Sequence, residues 1–446
     1  MYARQRQEAL THAQTEQYRA RWTKALLDMD LGLLDEMQHQ HQHRPLPEDA
    51  ANQIAPAPSR GVLLMGAGNM VRLALVAVRL LRDAGCVLPV EFAYMPHEVS
   101  QTHLDELIAH NITPVNYYTS EIASFKWGKE ELRLGAPKPF AVLASSFDQL
   151  LFLDPDIYVL RDPTYLFATQ IFRKHGALFW PDFPSTTRAN PIWKLTNIKF
   201  SFEREFESGA MVLDRRKVIR GLKLAAHFCS HADFYFRFIW GDKDAFRWAF
   251  KASNTPYFLN PNYLVSLGVA VSLDNPRGNV SLVVSPALSN KVVAGDGGGG
   301  ANINNNDVEG KNNAVVVGKY ENEGEASLPI GAWYCGQNML QMDFLDKIDA
   351  SRSELYDYTP EPLFLHANGI KKYYKPDIPP FQIAQTYKKP VVHGKLIDDY
   401  HAGRQHWIGM LLGQNHCMRM EVEGGLELIH YDFAKRYPGV NERYMK

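Results

Sequence analysis

Leu150-Leu151-Phe152-Leu153 runs without a break into Asp154-Pro155-Asp156. An unbroken apolar run of this kind suits a strand buried on both faces. A parallel sheet covered by helices provides that setting, and a half-solvated antiparallel sheet does not. The two carboxylates at its end add a second constraint. Burying them unpaired costs several kcal/mol, so the strand end must meet a divalent metal or a basic partner. The remaining possibility is a strand-terminal turn stabilised by Asp and Pro.

The apolar pattern around this run agrees. Gly61 to Met65 reads as a buried strand, Gly66-Ala67-Gly68-Asn69 as a turn, and Val71 to Leu81 as a helix. Val90 to Tyr94 follows as a strand, His103 to Ala109 as a helix and Ile112 to Tyr117 as a strand. Pro139 to Phe147 reads as a helix leading into the Leu150 run. Such alternation predicts an α/β fold with a mostly parallel central sheet flanked by helices. Two more apolar runs, Ala177 to Trp180 and Gly209 to Leu213, border acidic residues, Asp182 and Glu205-Phe206-Glu207-Ser208. Open α/β sheets bind ligands at the carboxyl ends of their strands, so the site is expected there.

Outside this core the chain divides simply. Residues 1–58 read as an N-terminal helix, carrying Leu10, Tyr18, Trp22, Leu26 and Leu33 at helical spacing, and a Pro/His-rich linker. His39-Gln40-His41-Gln42-His43 belongs to that linker, because Pro45, Pro47, Pro56 and Pro58 follow. Residues 59–446 read as a single catalytic domain with a flexible Gly/Asn-rich insertion at 289–326.

Composition narrows the class. Of the 446 residues, 46% are hydrophobic and 22% charged, which excludes disordered and collagen-like chains. A net charge of −1 supplies no basic field for nucleic acid or an anionic membrane. Arg72 and Arg79 interrupt the apolar stretch Gly61 to Leu81, and Met1 to Met29 is charged throughout. No membrane span or signal peptide is therefore expected, and the chain reads as soluble. Cys86, Cys229, Cys335 and Cys417 fit no zinc or redox spacing and read as buried small residues. Disulfides stay open if the protein is luminal. Sequons at Asn111 and Asn279 are compatible with secretion.

Several side chains bear on chemistry. Asp154 and Asp156 are hard oxygen donors suited to manganese or magnesium, ions that also bind diphosphate oxygens. His366, in Leu365-His366-Ala367-Asn368, reads as a third ligand or as a structural residue. Lys371 and Lys372 offer point charges to a phosphate. The turn Gly66-Ala67-Gly68-Asn69 precedes a helix, a placement that suits phosphate binding. It is no full dinucleotide fingerprint, because Val71 stands where the third small residue is required. That leaves a dehydrogenase as a weak rival. Asp242 and Asp244, in Gly241-Asp242-Lys243-Asp244, read as helix caps or as acceptors for sugar hydroxyls, and Glu207 has the same two readings. Trp180, Trp193, Trp240 and Trp333 either stack on sugar rings or fill the core.

The ordered series LASSFDQLLFLDPDIYVLRDPTYLF, GALFWPDF, ANPIW, EFESGAMVLDRRK, GDKDAFRWAF and FLHANGIKKY resembles the fungal Golgi α-mannosyltransferases of mannan and N-glycan outer chains. The upstream GAGNMVRLALVAVRLLRDAGCVLPVEF resembles that family's opening nucleotide-binding unit. The resemblance covers roughly residues 60 to 375. It implies a GT-A-like fold, GDP-mannose as donor, a manganese ion (or another divalent cation) and retention of the α-configuration. It further implies Asp154, Asp156 and His366 as metal ligands, with Lys138 facing the diphosphate. Asp242 and Asp244 would lie near the donor sugar and Glu207 under the reacting centre. An oligosaccharide or glycoprotein acceptor, a complex with other mannosyltransferases, and a type II membrane protein on the luminal side of the Golgi are also implied. No anchor is visible in this sequence. The rivals are a UDP-sugar enzyme of the same fold and a non-catalytic carbohydrate-binding subunit. Linkage, α-1,2 or α-1,3, is not legible in residue types, and neither is the choice between same-face attack and double displacement through Glu207.

Overall fold

The computed structural model describes residues 11–42, 59–68, 70–125, 127–129, 132, 135–262, 265–271, 325–327, 333–358, 360–366, 384–388, 391–392, 395–396, 417–419 and 427–431. The chain forms two compact units. The larger comprises Gln5–Leu264 and Gln341–His366, and the smaller Met1–Arg4, Val265–Leu340 and Ala367–Lys446.

The larger unit is built on a sheet of β1 (Arg60–Met65), β2 (Val90–Tyr94), β3 (Ile112–Asn116), β4 (Gln149–Leu153), β6 (Ala177–Ser185), β7 (Arg204–Asp214) and β8 (Phe258–Leu259). Their spatial order is β3-β2-β1-β4-β7-β6-β8. The pairs β3–β2, β2–β1, β1–β4 and β6–β8 are parallel, and β7 alone runs against both of its neighbours. This is the mixed, mostly parallel α/β sheet flanked by helices that the GT-A-like expectation requires. Leu150, Leu151, Phe152 and Leu153 are all buried, as an unbroken apolar run in a central strand should be. A short β5 (Ile157–Val159) follows β4 and pairs antiparallel with the strand Pro362–His366.

The helices explain their own boundaries. Met70–Asp83 buries Val71, Ala74, Ala77, Val78, Leu80 and Leu81, one face at helical spacing. Asp214 caps Arg215–Ser230 by accepting from Lys217 N, and that helix packs on Gly241–Ala252. Gly221 permits the close approach, because a Cβ there would lie 2.8 Å from the Phe250 ring.

Two readings change. The N-terminal helix, His12–Gln42, does not stand apart from the domain that begins at 59. Trp22 and Leu26 are buried, Trp22 Nε1 donates to Leu195 O at 3.0 Å, and Tyr18 stacks on Phe234. Its apolar face belongs to the core of the larger unit. Second, β7 starts at Arg204, so Glu205 and Glu207 lie within the strand and not ahead of it.

The smaller unit is antiparallel in every described pairing. Val265–Val271 lies between Ala384–Lys388 and Trp333–Met342, and Glu427–Tyr431 between Ala384–Lys388 and Glu325–Ser327. Cys417–Arg419 pairs with Trp333–Met342 in a register that sets Cys335 opposite Cys417. Of the insertion read at 289–326, only 325 and 326 fall among the described residues, in the strand Glu325–Ser327.

Candidate functional site

Three chain segments meet at the carboxyl end of β4. Parallel pairing sets Leu64 opposite Leu153, so the loops after β1 and β4 open at the same sheet end. Asp154 N donates to Gly209 O at 2.7 Å, and Ile157 N to Asp154 O at 2.9 Å, which fixes the Asp154-Pro155-Asp156 turn. Because β7 runs antiparallel, its early residues Glu207 and Ser208 arrive beside this turn. The β5 register places His366 directly opposite Ile157, the neighbour of Asp156.

Asp154, Asp156 and His366 each offer a ligand atom, all within 4.8 Å of one another. His366 Nε2 stands 3.6 Å from Asp156 Oδ1, and Nδ1 stands 3.3 Å from Glu207 Oε1. The second contact is an ion pair by distance, while its direction is not that of a hydrogen bond. Two carboxylate oxygens and an imidazole nitrogen make a donor set that fits manganese and similar divalent ions. The imidazole also has a carboxylate behind its other nitrogen, the usual support for a metal-bound histidine.

The electrostatics follow from burial and crowding. Burial opposes charge on His366, but Glu207 and Asp156 outweigh it and push the imidazole up to about 10. Burial opposes charge on Glu207 too, yet His366, Lys138 and the Gly209 N–H hold its carboxyl down at about 2. Asp154 keeps 26% of its side chain exposed. Its carboxyl is nonetheless raised to about 6, by burial first and then, against the pull of Lys138, by the charges of Asp156 and Asp242. The Lys138 ammonium is disfavoured by its burial but held charged by Asp154 and Asp242. The two partners therefore shift unequally, because one ammonium serves more than one carboxylate.

Lys138 opens the helix Lys138–Ala144, and its Nζ reaches Asp242 Oδ2 at 2.6 Å and Asp154 Oδ1 at 3.0 Å. It also donates to Ser208 O and Oγ at 3.2 Å, while Ser208 Oγ donates to Asp242 Oδ2 at 2.8 Å. Gly135, at φ +79°, makes room for the Asp242 carboxyl, since a Cβ there would sit 2.7 Å from its Cγ. Lys138 is thus the basic partner that the acidic strand end demanded.

Not every expected residue joins this group. Asp244 is buried in a second cluster: Oδ2 accepts from Trp240 N at 2.8 Å, and Glu205, Lys243 and Arg247 are its charged neighbours. Its helix-cap reading is the one the geometry supports. Burial, then Glu205, raises its carboxyl to about 7. Lys243 in turn pairs with Asp182 and Glu205. In the turn after β1, Gly68 has φ +45° and donates to Glu98 O at 2.8 Å, and Gly66 donates to Ala93 O at 3.3 Å. Ala67 accepts from Met70 N at 2.9 Å. The turn lies at the site's end of the sheet, with these donors engaged by the chain itself. Asn69, Lys371 and Lys372 lie outside the described residues. Trp180 and Trp193 are core: Trp180 Nε1 donates to Met342 O, and Trp193 packs edge-on against Trp248.

Sequence reasoning missed Gln341, whose Nε2 donates to Glu207 Oε2 at 2.6 Å. No local signal marks it, for it lies in a strand far along the chain from Glu207. Asp182, Glu205 and Lys243 were visible as charged residues among apolar runs, but not as partners.

A mannosyltransferase family model, Mannosyl_trans3, matches residues 59–199 and 192–281, together half of the chain. The chain belongs to this mannosyltransferase family. The match covers every residue of the site except His366 and Gln341. Among curated relatives, this family member is 24% identical over 261 residues to the α-1,2-mannosyltransferase MNN5 of Saccharomyces cerevisiae, covering 45% of this chain and 44% of that one. It is 22% identical over 420 residues to the α-1,2-mannosyltransferase MNN23 of Candida albicans, covering 79% of this chain and 66% of that one. The chain thus spans less than half the length of the MNN5 relative. Among solved structures, it is similar to core-mannan synthase A from Aspergillus fumigatus in a Mn/GDP form, at 8% identity and a TM-score of 0.32. That likeness covers 47% of this chain and 74% of the other.

Proposed function

We propose that this family member transfers mannose from GDP-mannose to a mannose hydroxyl of an oligosaccharide or glycoprotein acceptor, with retention and with manganese as the required cation. The observation that carries this reading is the convergence of Asp154, Asp156 and His366, their ligand atoms within 4.8 Å, where an open α/β sheet binds ligands. A divalent cation held there supplies positive charge against a departing diphosphate.

The chain's own residues do the remaining work. Lys138 stands beside the same carboxylates as a fixed positive charge at the diphosphate end. Asp242, whose Oδ2 is held by Lys138 and Ser208, is assigned by the resemblance as an acceptor for hydroxyls of the donor sugar. The turn at Gly66, Ala67 and Gly68, at the same end of the sheet, is assigned to the donor nucleotide by the resemblance. Lys371 and Lys372, close after His366 in sequence, are assigned to the phosphates by the resemblance alone, as is Asn69 in the turn.

The names of the relatives favour an α-1,2 over an α-1,3 linkage. The resemblance assigns the enzyme to the luminal side of the Golgi as a type II membrane protein, in company with other mannosyltransferases. Among the described residues, no helix is long and apolar enough to cross a membrane.

The test is release of GDP from GDP-mannose, with α-mannobiose as acceptor, with and without manganese, alongside a panel of UDP-sugars. Turnover with GDP-mannose alone, dependent on manganese, is expected. Asp156→Ala should lower it at least about 100-fold. Turnover with a UDP-sugar, or activity insensitive to chelation, would overturn the reading.

A further inference from the structure

We propose that Glu207 is a positioning residue for His366 and not a nucleophile toward the sugar. The inference rests on the metal site proposed above. It decides a question that the sequence leaves open, namely whether retention runs through a covalent ester on this carboxylate.

One oxygen of Glu207 is held by two hydrogen bonds, and the other faces the His366 ring in an ion pair. Oε2 accepts from Gly209 N at 2.8 Å and from Gln341 Nε2 at 2.6 Å. Oε1 lies 3.3 Å from His366 Nδ1. Glu207 is 6% exposed and Gln341 fully buried, so solvent does not replace these partners. A nucleophilic carboxylate needs a lone pair aimed at an anomeric carbon, and this one faces inward on every side the structure describes.

The same contacts suit a different task. With a cation bound in place of the Nε2 proton, the carboxylate beside Nδ1 keeps the remaining proton on that nitrogen and the Nε2 lone pair on the cation. Nε2 is the nitrogen that faces Asp156, at 3.6 Å. Gln341 and the Gly209 N–H fix the carboxylate, and the carboxylate fixes the ring. Gly209 is what lets the two side chains meet. A Cβ at that position would lie 3.0 Å from Glu207 Oε2, from His366 Cε1 and from Ile157 Cδ1. The arrangement thus runs from Gln341 through Glu207 and His366 to Asp156, with each member placed by the one behind it.

The experiment is a calorimetric manganese titration of wild type, Glu207→Gln and Gln341→Leu, with melting temperatures and GDP release at rising manganese. Glu207→Gln is expected to weaken manganese binding about 10- to 100-fold. Turnover should return toward the wild-type kcat when manganese is raised to saturation. Gln341→Leu should weaken binding in the same direction by a smaller factor, which keeps the test open if Glu207→Gln fails to fold. Unchanged manganese affinity in both variants overturns the inference. So does turnover that stays lost in Glu207→Gln at saturating manganese, because that is the signature of a missing nucleophile. A wild type that binds no manganese overturns the metal site itself, an outcome distinct from the other two.

Discussion

Lys138 is the ammonium partner of two carboxylates of the site. Its ammonium is shared between Asp154 and Asp242, and its side chain is only 8% exposed. Replacing it with Met leaves two carboxylates facing each other across the vacated space, and breaking a buried pair in this way costs about 3–5 kcal/mol. Chemical denaturation of Lys138→Met should show a loss of that order. Added manganese should restore part of it by neutralising Asp154. A second residue-scale expectation concerns Asp244. Its folded carboxyl titrates at about 7 against an ordinary value of 3.8, chiefly through burial. The folded state therefore binds the proton more tightly, and its stability falls as pH rises from 3.8 towards about 7, then levels off. Asp244→Asn removes the buried charge. It should raise stability by about 1 kcal/mol or more above pH 7, and the gain should vanish below pH 4. Paired thermal melts across that range check the sign.

At the scale of elements, the strand end is where sequence and structure agree best, and their difference is instructive. An apolar run ending in two carboxylates specifies a buried strand and a polar crevice, so Asp154 and Asp156 were legible without further information. Strand direction was not. β7 looks from its composition like another strand that meets acidic residues at one end, but it runs antiparallel to β4. Only that reversal brings Glu207, Ser208 and Gly209 to the same place. Gln341 was illegible for a related reason, since a hydrogen bond between distant strands leaves no trace in local periodicity. Asp242 and Asp244 show the limit of spacing arguments. Two residues apart on one helix start, they join different ion clusters, because helical geometry turns their side chains by about 200°. Gly209 gives the element-scale prediction. Gly209→Ala forces overpacking against Glu207, His366 and Ile157. It should cost about 1–3 kcal/mol and weaken manganese binding at the same time, measured by denaturant unfolding and by metal titration.

For the molecule as a whole, the helix at the start of the chain changes the picture of where the larger unit begins. Composition and the Pro-rich stretch after it mark a boundary near residue 58, and the packing does not respect it. Trp22 is 7% exposed, with its indole N–H on Leu195 O. Trp22→Ala should destabilise the larger unit by about 3–5 kcal/mol, the usual cost of removing a buried aromatic. A tail merely appended to the domain would cost nothing in the same melt. The smaller unit tells the opposite story. Its strands are assembled from segments on either side of the insertion, a long-range antiparallel pairing that alternation of strands and helices did not foreshadow.

The most direct test of the account is calorimetric binding of GDP to the wild type and to Asp156→Ala, with manganese present and with it chelated. The site described here predicts that GDP binds the wild type tightly only when manganese is present, and that Asp156→Ala abolishes the manganese-dependent part. GDP binding of equal strength with the metal removed would contradict a metal bridge through Asp154, Asp156 and His366.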